Sequence, residues 1–381
     1  MKNIAKYLVA FIIAVLCLIP PTRIHLQCTA NTTPWMWGIL GGGLLGFLFL
    51  FTKANAFIKL TIIFCFINSF LSSAPYMSLT LYLSVVAAGY FYLLCLQIED
   101  WSAVYKVVQS LFFVSVLLVI LQAFGKDTLL NYTQAPGVFF GYVNNPMMLA
   151  SFITCLTPFL IIGNPLNVFP IAIIAYMSGS SGMVLTLMMA LVFFLFFKIK
   201  NKLWYGLVTL VLMTGMWFSV QNDPAIKCFS WGGRGLIWKR AFELSNEKPW
   251  TGWGIGTFQV IFPTLSKDVA GGMSDKWVYE WTEGDWIPWR KTHNCWLQLL
   301  FELGRIGFVG VLGLAGYYIR MFVKSPKRPI IILVGAGLVV FMVNMTIHFP
   351  TRMIQTLIVM LAYLAYYERI LKCEGETYYG L

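Results

Sequence analysis

The chain has 381 residues, of which 59% are hydrophobic and 11% charged, with a formal net charge of +12 and a mean hydropathy of +0.75. A soluble globular protein of this length needs more charge to cover its surface, so that class is excluded. No basic domain lies outside the apolar stretches, which removes nucleic acid as a partner and makes the positive excess a matter of membrane topology.

Apolar stretches near membrane-spanning length recur at 7–20, 35–52, 56–71, 76–97, 103–124, 147–163, 166–177, 182–197, 203–220, 295–322, 330–348 and 352–370. The pattern predicts an all-α polytopic membrane protein of about twelve transmembrane helices, with 56–71 and 166–177 the weakest. The first stretch starts with Lys2 and Lys6 like a signal peptide, but no small-x-small cleavage site follows it and Leu16 before Cys17 does not suit a lipoprotein site. It is read as a helix.

Dealing the helices alternately from a cytoplasmic N-terminus gathers Lys53, Lys59, Lys106, Lys198, Lys200, Lys202, Arg320, Lys324, Lys327, Arg328, Arg369 and Lys372 on the inner side. The short outer loops keep Arg23, Lys126 and Arg352. That asymmetry sets the orientation, with both termini cytoplasmic. Residues 1–381 are expected to form one integral membrane domain whose large polar loop, 221–292, faces the periplasm and carries short helices. The eight cysteines are scattered without Cys-x-x-Cys spacing, and most fall inside predicted helices as small apolar residues.

Within the loop, Leu236, Ile237, Ala241, Phe242 and Leu244 recur beside Lys239, Arg240, Glu243 and Glu247. This spacing predicts an amphipathic helix over 234–247 lying on the membrane surface, ended by Pro249 and the following glycines. From about Phe262 to Trp289 no period is visible and irregular structure is expected. Eight of the fourteen tryptophans sit in the loop, as interfacial anchors or as stacking faces for sugar rings. Gly252-Trp253-Gly254-Ile255-Gly256 has no preceding strand and is no nucleotide loop. It is either a structural turn or a place where backbone approaches a phosphate or sugar. Asn144-Asn145-Pro146 caps the sixth helix or binds sugar hydroxyls. Glu302 and Arg305, three residues apart on one predicted helix, are expected to pair. His25, His293 and His348 all fall on the outer side, but their wide separation gives no metal-ligand spacing, and no metal site is expected.

Four short motifs in order carry a family resemblance: Gly141-x-x-x-Asn145-Pro146, Arg234-x-x-x-Trp238, Pro249-x-x-Gly252-x-Gly254, and His293-Asn294 followed by Glu302-Leu-Gly304. The sequence from about Gly141 onward resembles the O-antigen ligase and O-antigen polymerase superfamily of bacterial envelope glycosyltransferases. The resemblance implies a bacterial inner-membrane enzyme that takes a glycan from a polyprenyl-diphosphate donor in the outer leaflet. The acceptor hydroxyl belongs to a lipid-linked glycan or a lipid A core sugar, and neither metal nor cofactor is implied. Ser181 stands where the family commonly has an arginine before the eighth helix, so the charge is expected from Arg352, Arg290 or Lys291.

The chemistry asks for these residue types. A departing diphosphate gathers negative charge, which an arginine fork binds bidentately without losing its own proton, and Arg234 is the candidate. His293 is the candidate base for the acceptor hydroxyl, and its place at a helix start disfavours imidazolium. The other expected substrate contacts are Arg352, Arg290, Lys291, Asn144, Asn145, Gly252, Gly254, Trp253, Asn294 and His348. Two further readings stay open: a transporter or flippase for a lipid-linked or small substrate, and a protein O-oligosaccharyltransferase. Against transport, few ionisable residues lie within the predicted helices.

Overall fold

The computed structural model describes residues 2–18, 56–124, 146–177, 180–221, 234–266, 292–347, 351 and 354–379. The described residues are mostly helical, with no strand among them. In chain order they form α1 (Lys2–Leu18), α2 (Ala56–Phe70), α3 (Pro75–Cys95), α4 (Ser102–Ala123), α5 (Pro146–Gly163), a 3-10 turn (Pro165–Asn167) and α6 (Val168–Met177). Then follow α7 (Ser181–Lys198), α8 (Lys202–Gln221), α9 (Arg234–Glu247), α10 (Phe258–Leu265), α11 (Cys295–Lys324), α12 (Pro329–Ile347) and α13 (Ile354–Tyr379).

Local signals set these boundaries. Proline opens α3, α5 and α12, where its missing N–H costs nothing and its fixed φ suits the first turn. Side-chain oxygens cap others: Ser180 Oγ accepts from Met183 N–H at 3.3 Å, Asp100 Oδ1 from Ser102 N–H at 2.9 Å, and Asn201 Oδ1 from Leu203 N–H at 2.9 Å.

Every expected apolar stretch except 35–52, which lies outside the described residues, coincides with a helix. Among the described residues four helices, α3, α4, α11 and α12, are long and apolar enough to cross a membrane, and five shorter apolar segments accompany them. The molecule is therefore a multi-pass membrane protein. The weak stretch at 166–177 is a 3-10 turn followed by the ten residues of α6, and ten helical residues reach only about 15 Å.

The chain divides into two compact units, residues 1–35, 91–220 and 319–381, and residues 36–90 and 221–318. In the first, α12 packs on α7 and α5, while α1 packs on α4 and α13. Its interior is aromatic: Phe159 meets Tyr363 at 5.1 Å and Tyr105 at 5.7 Å between ring centroids, and Trp101 meets Tyr366 at 5.3 Å. Buried Asn344 of α12 pairs with Ser151 of α5, which satisfies polar atoms that would be costly in an apolar interior. Ion pairs Lys6–Asp100 at 2.6 Å and Arg369–Glu99 at 3.8 Å tie α1 and α13 to the segment before α4.

The second unit holds α2, α9, α10 and parts of α3 and α11. Its core is Ile237, Ala241 and Leu244 of α9, Phe258 and Phe262 of α10, and Phe301 of α11.

Candidate functional site

The amphipathic helix predicted over 234–247 is α9. Its buried residues Ile237, Ala241 and Leu244 follow the i, i+4, i+7 spacing. That stripe packs on protein, against α10 and α11, whereas Phe242 on the other side stays exposed. Arg240 fastens α9 to the end of α10, donating to Leu265 O at 2.8 Å. Irregular structure is expected from Phe262, but Phe262 to Leu265 form the last turn of α10, and the rest of that stretch, from 267 on, lies outside the described residues.

The central feature is an exchange of backbone partners between the loop after α9 and a break in α11. Gly304 interrupts that helix at φ 63° and ψ −169°. An unbroken ladder would pair Arg305 N–H with Phe301 O and Ile306 N–H with Glu302 O. Here Trp253 N–H donates to Phe301 O at 3.0 Å and Gly254 N–H to Glu302 O at 2.9 Å. On the far side of the break, Arg305 N–H donates to Pro249 O at 2.7 Å and Ile306 N–H to Trp250 O at 3.2 Å. The segment Pro249–Gly254 thus satisfies four of the peptide groups that the break releases.

Such an approach needs glycine on both chains. A Cβ on Gly252 would lie 2.5 Å from Gly304 N, and one on Gly304 would lie 2.4 Å from Gly252 N. Both have positive φ, 69° and 63°, where a side chain is strained.

Buried side chains hold the inserted loop. Asn68 of α2, 1% exposed, donates from Nδ2 to Thr251 O at 2.5 Å and accepts from Ile255 N–H at 2.9 Å. Glu302, fully buried, accepts from Gly256 N–H at 2.8 Å and from Gln298 Nε2 at 2.9 Å. Ser72 and Ser73 close the other edge, with Ser72 Oγ donating to Trp253 O at 3.2 Å and Ser73 N–H to the same carbonyl at 3.0 Å. Gly252 N–H donates to Lys248 O at 3.0 Å. The amides of residues 252–256 therefore all donate within the protein, which is the structural-turn reading of this glycine run.

His293 stands just before α11 with φ 54°, the only non-glycine positive φ among the described residues. Such backbone is uncommon outside glycine and concentrates at functional sites. Its neighbours fix it. Asn294 caps α11, Oδ1 accepting from Leu297 N–H at 3.1 Å, and buried Thr292 accepts from Asn294 N–H at 3.0 Å. Trp238 of α9 donates from Nε1 to Thr292 O at 2.7 Å. Because Arg234 precedes Trp238 by one helical turn on the same face of α9, this bond brings the arginine's helix to the histidine's backbone.

The expected pairing of Glu302 with Arg305 is corrected: Gly304 breaks the helix between them, so they are no longer one turn apart. Glu302 is buried against the loop, and exposed Arg305 donates to Asn246 Oδ1 at 3.1 Å. Trp253 has two anchors, its Nε1 donating to Leu244 O at 2.9 Å and its ring stacking on Phe301 at 6.0 Å. Asn144, Asn145, Arg290, Lys291, His348 and Arg352 lie outside the described residues, as does the side chain of Arg234. Sequence reasoning missed Asn68 and Gln298. The available signal was a polar Asn68-Ser69 pair in the apolar run of α2, since a polar side chain in such a run needs a partner.

This site is a buried junction of loop and broken helix in an all-helical, multi-pass membrane protein. Residues 166–312 match the family model described as O-antigen ligase, so the chain carries the O-antigen ligase superfamily signature over that span and the resemblance read from the sequence is borne out. The span includes Ser181, Arg234, the inserted loop, His293 and the Gly304 break. No curated protein matches the chain.

Proposed function

We propose that the protein is a glycosyltransferase that moves a glycan from a polyprenyl-diphosphate donor to an acceptor hydroxyl at the outer face of the bacterial inner membrane. The observation that carries this reading is the family match across the segment in which Trp238 ties the arginine-bearing helix to the Thr292 carbonyl, next in the chain to the strained His293. In the reaction the bond from the sugar's anomeric carbon to the diphosphate oxygen breaks, and a bond from that carbon to the acceptor oxygen forms. His293 takes the hydroxyl proton, and Arg234 holds the charge that develops on the departing diphosphate. The sign of the short-loop charges supports cytoplasmic termini and an outward 221–292 loop. The description of the matched family favours ligase-type transfer to a lipid A core sugar over polymerisation onto a lipid-linked glycan.

The test is transfer by purified protein in detergent with chelator present, from a fluorescent polyprenyl-diphosphate oligosaccharide to a panel of lipid A core, lipid-linked glycan and peptide acceptors. Product on the lipid A core is expected, with Arg234→Ala and His293→Ala each lowering turnover at least about 100-fold while the protein stays folded. Donor that binds but is never consumed would replace this reading with transport.

A further inference from the structure

We propose that Arg305 and Lys248, each set against an indole ring, seat the phosphate headgroup of an anionic phospholipid at the membrane surface. This seat rests on the membrane reading of the fold and is independent of the glycosyl-transfer reaction.

Four observations converge on it. The most apolar eighteen residues of α11 have a mean hydropathy of 1.7, yet only 17% of that stretch is buried by protein. Ile306, Val309 and Leu312 are 51%, 65% and 46% exposed, an apolar face of the kind that acyl chains cover. Arg305 stands at the head of that face. Its guanidinium lies 5.9 Å from the ring centre of Trp250, and Trp250 is 63% exposed. Phe242, one turn before the Asn246 that binds Arg305, is 54% exposed. An arginine among exposed aromatic and aliphatic side chains, at the start of the lipid-facing part of α11 just after the Gly304 break, is at headgroup depth, with rings in the interfacial layer and the charge toward water.

The second cation lies across the same turn. Lys248 Nζ stands 4.7 Å from the ring centre of Trp253 and donates to Ser73 Oγ at 2.6 Å. Pro249 and Trp250 link the two cations along the chain, and Arg305 N–H is bonded to Pro249 O. Exposed Glu247 is the carboxylate next to Lys248 in the chain, while the Glu302 carboxylate is buried on Gly256 N–H and Gln298 Nε2, so the outer side of the turn carries two positive groups against one negative. One guanidinium N–H is engaged by Asn246; a guanidinium has five, in a fork that fits phosphate oxygens.

The test is native mass spectrometry of the purified protein from micelles holding equal amounts of phosphatidylglycerol and phosphatidylcholine. Wild-type protein is expected to retain phosphatidylglycerol about tenfold over phosphatidylcholine, with the double variant Lys248→Gln plus Arg305→Gln losing that preference and Arg305→Lys keeping most of it. Equal retention of the two lipids by wild type, or an unchanged preference in the double variant, overturns the proposal. Displacement of phosphatidylglycerol by an equimolar polyprenyl diphosphate also overturns it, because the seat would then belong to the donor. If the double variant does not fold, Lys248→Gln alone is read: a loss of preference of at least threefold is expected, and none refutes the seat.

Discussion

Gly304→Ala tests the loop-in-helix junction most directly. The residue sits at φ 63° and ψ −169°, a region almost confined to glycine, so an alanine there carries a strain of about 1–3 kcal/mol. The added Cβ would lie 2.4 Å from Gly252 N and 2.5 Å from Trp250 C and O. These are backbone atoms, so the inserted segment itself must move. It is held by four backbone bonds, Trp253 and Gly254 to Phe301 and Glu302, and Arg305 and Ile306 to Pro249 and Trp250. Losing two of the four, at about 1 kcal/mol each, brings the total to about 3–5 kcal/mol. For a chain this long, each kcal/mol is worth roughly 1–2 °C, so a fall in Tm of about 5 °C is expected in one detergent and lipid mixture. Gly310→Ala is the matched control: it lies in the same helix with nothing within 4 Å of its added Cβ, and it should gain about 0.5–1 kcal/mol. Hydrogen exchange at the Trp253 and Gly254 amides should speed up in the Gly304 variant alone. A Tm within 1 °C of wild type, or an equal fall in the Gly310 control, would refute the junction.

Asn68→Leu removes both arms of the clamp on Thr251 O and Ile255 N–H and should cost about 2–4 kcal/mol, read as a lower denaturation midpoint; a neutral result would mean that the loop holds without α2. Glu302→Gln keeps the shape but can offer an oxygen to only one of its two donors, Gly256 N–H and Gln298 Nε2. A loss of about 1–3 kcal/mol is expected, partly recovered by Gln298→Met on the same background, and failure of that recovery would argue against the Gln298 contact. Lys6 and the Ser102 amide hold the Asp100 carboxyl below the ordinary carboxylate range. Because the folded-state pKa is depressed, its contribution is full above the unfolded value near 4 and is lost as pH falls below it. Asp100→Asn should therefore narrow the stability difference from wild type only on the acid side, and a difference unchanged between pH 3 and pH 6 would contradict this.

The sequence by itself determined whatever depends on neighbours close in the chain. Apolar length placed the helices; prolines, Ser180, Asp100 and Asn201 placed their starts; and the i, i+4 spacing of Ile237 and Ala241 placed α9. It also carried the family resemblance that the match bears out over 166–312. Tertiary structure alone decided what those motifs do to one another. A helix period says nothing of a partner some fifty residues away, and Gly304 in an apolar run reads as a small helical residue until Gly252 is brought against it. The exchange there uses backbone groups, which every residue carries and no side-chain pattern announces. The clamp by Asn68 and the inward turn of Glu302 follow from that junction, because polar atoms buried in packing must find partners wherever the fold presents them.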